Sequence, residues 1–118
     1  ISAFLRDRQL SVKDVDLMLL HQANKMMLEQ IYRKLEVPPS AQFLFSREIG
    51  NLGGPSSAVV LAEALRSARI APRSRTMVTA FGNGLSWGSV LIKWPDQVPA
   101  APEVPTDFAK LSAYVSGP

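Results

Sequence analysis

The sequence predicts a layered α/β fold, in which short buried strands are covered by amphipathic helices. An apolar run at residues 16–20 is bounded by polar residues, as in a fully buried strand. Apolar residues recur at helical spacing in residues 24–35 and 55–68. Residues 76–81 and 86–94 are predicted as two further strands, and this order of helices and strands is typical of a layered α/β unit.

The N-terminal elements follow from local signals. Residues 1–10 are predicted as the end of a helix, because apolar residues stand there among charged ones with no capping residue before them. Residues 11–14 read Ser-Val-Lys-Asp, which is the spacing of a capping box and predicts a short helical turn. The helix at residues 24–35 is expected to stop before Pro38 and Pro39, since the residue before a proline avoids the helical conformation.

The C-terminal elements depend on glycine and proline. Pro55 stands at a first-turn position that tolerates proline, and the helix of residues 55–68 is apolar on most sides, so we expect it to be central. The dipeptide Asn83-Gly84 between the last two strands predicts a two-residue hairpin turn with positive φ. Three strands offer limited cover for such a helix, so we expect the chain to be part of something larger.

The composition changes after Trp94. Five of the nine prolines lie in residues 95–118, so we predict a body of residues 1–94 followed by an irregular Pro-rich tail. The body holds 12 Lys and Arg against 7 Asp and Glu, and this positive charge suits an acidic or phosphate-bearing partner. Because there is no basic run and no basic–aromatic repeat, nucleic acid is not an expected partner.

Length and residue types exclude several classes of protein. The 118 residues, 47% of them hydrophobic, suffice for one modest core. No apolar run approaches the roughly 20 residues of a membrane span, so no span is expected. The absence of cysteine excludes disulfides, thiolate metal sites and a cysteine nucleophile within this chain, and it is compatible with the cytoplasmic location that we expect.

The candidate chemistry begins at His21, the only histidine, which follows the apolar run and precedes a helix. At the carboxyl end of a buried parallel strand, a side chain points into the crevice where α/β proteins place ligands. A neutral imidazole there can donate a hydrogen bond to a developing oxyanion or accept a proton. A histidine that merely caps the strand by bonding to backbone is the alternative, and this residue alone leaves both open.

Two further segments could complete a site with His21. The amide of Asn51 can donate a hydrogen bond without titrating, and glycines on both sides allow close approach of the backbone. The alternative is a plain turn before a helix. In the turn formed by Gly82, Asn83 and Gly84, a backbone N–H could face a substrate carbonyl in addition to closing the hairpin.

Four segments in a fixed order carry a resemblance to a known family. They are His21-Gln22-Ala23-Asn24, Gly50-Asn51 with the helix Val60-Leu61-Ala62-Glu63-Ala64-Leu65, Arg69-Ile70-Ala71-Pro72, and Ala80-Phe81-Gly82-Asn83-Gly84-Leu85-Ser86-Trp87-Gly88. From about Ile1 to Trp94 the chain resembles the C-terminal part of the 3-oxoacyl-acyl-carrier-protein synthase III family. The resemblance implies the C-terminal half of a thiolase-like fold, with a mixed sheet packed by helices, that is incomplete without an N-terminal half.

The resemblance also implies a reaction. In the family, a cysteine of the first half takes an acyl group from a coenzyme A thioester and condenses it with a malonyl thioester on acyl-carrier protein. By motif position, His21 and Asn51 would hold the thioester carbonyl as charge develops on its oxygen. The backbone N–H of Asn83 would belong to a second oxyanion site, in an active-site loop with Phe81, Gly82 and Gly84.

Binding partners follow from the same resemblance. Asn24 would lie near the pantetheine arm, and the basic residues Arg33 and Lys34 would help to dock acyl-carrier protein. The expected partners are acyl-carrier protein, acyl-CoA, the missing half that bears the catalytic cysteine, and a second copy of the full enzyme in a homodimer. The coenzyme A thioester and the phosphopantetheine carrier are substrates, and neither a cofactor nor a metal is expected. Without its cysteine partner the chain is expected to have no synthase turnover.

Two departures from the family pattern keep alternatives open. Gly53-Gly54-Pro55 stands where the family commonly has Ser-Ala-Ala, and Met26 stands where an arginine is common. The first alternative is therefore acyl transfer to an oxygen or nitrogen acceptor without decarboxylation. The second, prompted by the missing cysteine, is a non-catalytic half-domain or partner subunit that binds a carrier protein or a catalytic chain.

Overall fold

A mixed three-stranded sheet lies at the centre of the part of the chain that the computed structural model describes, residues 1–101. In chain order the elements are α1 Ser2–Arg6, β1 Leu17–Leu20, α2 Lys25–Lys34, α3 Ser46–Ile49, α4 Ser56–Arg66, β2 Arg75–Gly82 and β3 Ser86–Lys93. Strand β1 runs parallel to β2, and β2 runs antiparallel to β3. The mixed sheet packed with helices confirms the predicted α/β class.

Strand β1 is buried at all four positions because helices cover both faces of the sheet. Met18 and Leu20 belong to one core cluster with residues of α1 and α2, whereas Leu17 and Leu19 belong to another with residues of α4. This alternation is the two-residue period of a strand. The result is a three-layer arrangement, and the predicted buried strand at residues 16–20 is confirmed.

Three helices end in the same way, with a residue other than glycine in the left-handed conformation. Gln9, Glu36 and Ala68 have φ of 55°, 55° and 52°. In each case the next residue donates its backbone N–H to the carbonyl five residues earlier, at 2.9 Å. This pattern is the Schellman motif, which satisfies carbonyls that a helix end leaves unpaired.

The Schellman turn corrects the predicted extent of the first helix. Helix α1 covers only Ser2–Arg6, not residues 1–10, because the chain turns back at Gln9 and the N–H of Leu10 bonds to the Leu5 carbonyl. The capping box of residues 11–14 is confirmed, with the Asp14 carboxylate accepting from both the backbone and the hydroxyl of Ser11. These bonds lower the pKa of Asp14 below its ordinary value.

The predicted two-residue hairpin turn between β2 and β3 is wrong. Gly82 pairs with Ser86, so three residues, Asn83–Leu85, make the connection. A two-residue turn of the expected type needs positive φ at both central positions. Here Gly84 has φ of 80°, whereas the φ of Asn83 is not positive.

Helix α4 packs on the sheet through Ser56, Val60 and Ala64, which are fully buried. On its other flank an apolar groove of about 270 Å³ opens between α4 and the last two strands. The groove is lined by Ser57, Ala58, Leu61, Val78, Val90 and Ile92. Among the residues that the structure describes, α4 is therefore covered on the face towards the sheet and open at the groove on its other flank.

Pro95, Asp96 and Val98 contact the body of the domain. The carbonyl of Pro95 accepts from the N–H of Arg73, the Arg73 guanidinium bonds to the Asp96 carboxylate, and Val98 packs against the α4 cluster. The remainder of the predicted tail, residues 102–118, lies outside the described residues. Among the described helices none is both long and apolar enough to span a membrane.

Candidate active site

His21 lies immediately after β1 and is almost completely buried, with 7% of its surface exposed. Its backbone N–H donates to the carbonyl of Thr79 at 2.8 Å, which extends the pairing of β1 with β2 by one residue. The imidazole ring meets the ring of Phe81 edge-on, with centroids 4.8 Å apart. Within residues 1–101 neither ring nitrogen makes a hydrogen bond, so both remain available to a bound molecule.

The meeting of His21 and Phe81 follows from the parallel register. Leu20 pairs with Thr79, so the two rings lie just beyond this pair, where both strands approach their carboxyl ends. Gly82, Asn83 and Gly84 follow at the same edge and are exposed. A cavity of about 240 Å³ opens beside them, lined by Ala80, Phe81, Gly82, Ser86, Trp87 and Gly88.

Asn24 is the N-cap of α2, with its side-chain oxygen accepting from the N–H of Met27 at 2.8 Å. That bond explains why the helix begins at Lys25. Arg33 and Lys34 are exposed in the last turn, about 14 Å along the helix axis from Asn24. The structure therefore separates the two predicted functions of this helix, placing Asn24 near His21 and the basic pair at the far end.

Asn51 lies in an exposed loop between α3 and α4. Its side-chain oxygen accepts from the N–H of Gly53 at 2.9 Å, which orients the amide group. The preceding Gly50 has φ of 63° and ψ of −161°, a region that glycine alone adopts without strain. No hydrogen bond joins Asn51 to His21 in the described part of the chain, and the roles of both residues stay predictions.

Gln22, which was not predicted as a site residue, is fully buried beside His21. Its side-chain nitrogen donates to the carbonyls of Leu20 at 2.9 Å and Phe43 at 3.4 Å, while its side-chain oxygen accepts from the N–H of Phe45 at 2.8 Å. A glutamine next to a candidate site is visible in the sequence, but its burial depends on distant segments that the sequence does not bring together.

Ser56, the first residue of α4, completes this network. Its hydroxyl oxygen accepts from the backbone N–H of Gln22 at 3.2 Å, and the residue is fully buried. Tyr32 also bonds to the segment of Phe43. Its hydroxyl donates to the Met18 carbonyl at 2.9 Å and accepts from the backbone N–H of Phe43. Burial raises the pKa of Tyr32 to about 12.

A second cavity, of about 400 Å³, opens between the start of α2 and α3. Its lining is of mixed charge and comprises Lys25, Glu29, Leu44, Ser46, Arg47 and Glu48. Lys25 pairs with Glu29 at 3.2 Å across one helical turn. Within residues 1–101 no three His, Asp or Glu side chains cluster closely enough to hold a metal ion.

Two of the solved structures that this chain resembles are synthases. The chain matches 3-oxoacyl-(acyl carrier protein) synthase III from Pseudomonas aeruginosa with a TM-score of 0.73 and 32% identity, over 82% of this chain and 30% of that one. It matches the priming β-ketosynthase of a polyketide biosynthetic pathway with a TM-score of 0.74 and 26% identity, over 80% and 29%. These matches confirm the thiolase-like fold, of which this chain holds only a part.

Curated relatives agree with the structures. The β-ketoacyl-[acyl-carrier-protein] synthase III of Porphyra umbilicalis is 36% identical over 90 residues, which are 76% of this chain and 28% of that protein. The corresponding protein of a Roseiflexus species is 37% identical, over 76% and 27%. The chain thus spans less than a third of the relatives it matches. A family model described as the C terminal of 3-oxoacyl-[acyl-carrier-protein (ACP)] synthase III matches residues 5–94. The chain therefore belongs to the 3-oxoacyl-[acyl-carrier-protein] synthase III family, whose C-terminal part it represents.

Proposed function

We propose that this chain is the part of a condensing acyltransferase that binds and activates a malonyl thioester on acyl-carrier protein. The observation that carries the proposal is the placement of His21, buried at the carboxyl end of β1 with both ring nitrogens free of partners among residues 1–101. Membership of the synthase III family supports the same reaction class.

His21 and Asn51 would stabilise the charge that develops during decarboxylation. As the bond between the malonyl carboxylate and the α-carbon breaks, carbon dioxide leaves and the electron pair moves onto the thioester oxygen as an enolate. An imidazole N–H and an amide N–H aimed at that oxygen bind the enolate more strongly than the thioester, which lowers the barrier. The hydrogen bond from Gly53 holds the Asn51 oxygen and leaves its amide hydrogens for this role.

The carbon–carbon bond would then form between the enolate and an acyl group carried by a cysteine, with the thiolate as leaving group. This chain contains no cysteine, so that nucleophile has to come from the N-terminal half of the fold. The apolar groove beside α4 supports such a partner, because Val90 is 59% exposed on its wall. The N–H of Asn83, in the exposed turn beside Phe81, would contribute to the second oxyanion site.

The carrier and its arm would approach along α2. Asn24 lies three residues after His21, and Met26, 69% exposed on the adjoining turn, offers an apolar contact. Arg33 and Lys34 would attract an acidic carrier from the far end of the helix. We extend the proposal to the remaining expectations for the whole protein, namely acyl-CoA as acyl donor, a homodimer and a cytoplasmic location.

Acyl transfer to an oxygen or nitrogen acceptor is the second candidate. The loop after Asn51 favours it, because Gly53 has φ of 64° and Gly53–Pro55 are all exposed, which leaves room for a different acceptor. Release of carbon dioxide from a malonyl thioester separates the two reactions, since simple acyl transfer releases none.

Single substitutions in the protein that carries both halves test the proposal. His21→Ala and Asn51→Ala should each lower malonyl decarboxylation by about 10²- to 10³-fold, because each removes one oxyanion donor. Acylation of the cysteine by acyl-CoA, followed by mass spectrometry, should remain near the wild-type rate. Lys93→Ala is a suitable control, since Lys93 is exposed and pairs with Arg75 at the opposite end of the sheet. Equal loss of both steps would argue against the assigned roles.

A further inference from the structure

We propose that Gln22 and Ser56 are positioning residues, which hold His21 and the loop that bears Asn51 in one arrangement at the edge of the sheet. The inference rests on the proposed function, because it concerns how the two oxyanion donors reach a common point. Neither residue would touch the substrate, since both are fully buried.

Gln22 uses its whole side-chain amide to join two segments. Its nitrogen donates to the Leu20 carbonyl at the end of β1, and its oxygen accepts from the N–H of Phe45 at 2.8 Å. The same nitrogen lies 3.4 Å from the Phe43 carbonyl. Residues 43–45 lead directly into α3 and the loop with Asn51, so the start of that loop is tied to the residue next to His21.

Ser56 fixes the other end of the loop. Its hydroxyl oxygen accepts from the backbone N–H of Gln22 at 3.2 Å, and Ser56 begins α4, five residues after Asn51. Both ends of the segment from Phe45 to Ser56 are therefore bonded to Gln22. Because His21 is joined to Gln22 by one peptide bond, the two donors share one anchor.

The consequence for catalysis is geometric. Aimed donors lose effectiveness when they move by a fraction of an ångström, and a misplacement of about 1 Å can cost roughly 10²-fold in rate. The loop itself is exposed, and hydrogen bonds such as that from Gly53 to Asn51 join residues within the loop, so they do not fix it to the sheet. The buried network around Gln22 supplies the restriction that the loop lacks.

Two pairs of variants in the intact protein that carries both halves isolate this role. Gln22→Met keeps the volume of the side chain and removes its hydrogen bonds. Gln42→Met does the same to a half-buried glutamine whose side chain, among the described residues, bonds only to the Val37 carbonyl. Ser56→Ala removes the acceptor for Gln22, while Ser67→Ala removes an exposed hydroxyl that bonds to the Glu63 carbonyl at the far end of α4.

Malonyl decarboxylation should fall by about 10- to 100-fold in Gln22→Met and about 10-fold in Ser56→Ala, through kcat with KM within about 3-fold. Acylation of the cysteine should stay unchanged, and both control variants should stay within about 3-fold of the wild type. If Gln22→Met does not fold, as judged by its thermal transition, Ser56→Ala decides the question. That substitution removes only one hydroxyl oxygen and adds no new atoms to the core.

Hydrogen exchange gives a readout that does not depend on activity. The amide hydrogen of Phe45 bonds to the Gln22 side chain, so it should exchange faster in Gln22→Met and at the wild-type rate in Gln42→Met. Decarboxylation within 3-fold of the controls, or an equal fall in acylation and decarboxylation, would overturn the positioning role. If instead His21→Ala retained decarboxylation, the proposed function would fail. The exchange rate of the Phe45 amide hydrogen would still report whether Gln22 holds the loop in place.

Discussion

The imidazole ring of His21 meets the phenyl ring of Phe81 edge-on, with centroids 4.8 Å apart and planes inclined at 66°. An edge-to-face contact of this kind contributes about 0.5–1.5 kcal/mol beyond the area that it buries. Because the two rings lie beyond the last paired residues of parallel strands, the sheet itself sets their distance. Phe81 therefore restricts the orientation of the only histidine.

Replacing Phe81 by alanine should lower the rate of malonyl decarboxylation by about 2- to 10-fold, which corresponds to the energy of one aromatic pair. Steady-state measurement of carbon dioxide release in the protein that carries both halves checks this. Phe81→Tyr keeps the ring and should retain most of the activity. If the tyrosine variant lost as much as the alanine variant, the edge contact would not be what matters at this position.

Gly50→Ala should destabilise the loop that carries Asn51. The φ of 63° and ψ of −161° at Gly50 lie in a region that costs a residue with a side chain about 1–3 kcal/mol, although no atom lies within 4 Å of the added methyl. Gly54→Ala is the matched control, since Gly54 has no positive φ and equally open space. Thermal unfolding and decarboxylation should both change in Gly50→Ala alone, and equal behaviour of the two variants would contradict the conformational argument.

Local signals in the sequence predicted the main elements well. The apolar run at residues 16–20, the helical spacing at 24–35 and the Gly-Gly-Pro start before α4 each correspond to an observed element. These signals work because burial pattern and capping act over a few neighbouring residues. The position of His21 at a strand end followed from the first of them.

Features that depend on distant contacts were not predicted. Helix α3 is a four-residue turn without an apolar period, and the length of the hairpin connection depends on the register of β2 with β3. The role of Gln22 depends on residues 21 and 34 positions away along the chain. The resemblance to a family pointed to polar residues such as His21 and Asn51, whereas the hydrogen bonds of Gln22 with Ser56 and Phe45 depend on the fold.

Tyr32→Phe should change both the stability and its dependence on pH. At neutral pH the variant should lose about 1–3 kcal/mol, because the buried N–H of Phe43 and carbonyl of Met18 lose their partner. Burial raises the pKa of Tyr32 from 10.0 to about 12, so the folded state holds the proton more tightly than the unfolded state. The associated stabilisation is complete below pH 10 and is lost as pH rises towards 12.

Urea unfolding of the intact protein from pH 7 to pH 12 measures this effect. The stability advantage of the wild type over Tyr32→Phe should be constant up to about pH 10 and then shrink, by on the order of 2 kcal/mol at pH 12. Other groups that titrate in this range affect both proteins equally and cancel in the difference. An advantage that stays constant to pH 12 would show that Tyr32 ionises at its ordinary pKa.

Ala68→Gly should stabilise the protein, although it removes a side chain. Ala68 lies two residues after the end of α4 in the left-handed conformation, with φ of 52°. It is exposed, so its methyl group contributes strain rather than packing. Glycine avoids the left-handed penalty of about 1–2 kcal/mol. Part of this stabilisation is offset by the greater entropy of glycine in the unfolded chain, so the free energy of unfolding should rise by about 1 kcal/mol. The same substitution inside the helix, Ala62→Gly, should cost about 1 kcal/mol. Opposite shifts in the midpoint of chemical unfolding are therefore expected, and a loss of stability in both variants would mean that the strain at Ala68 is relieved in another way.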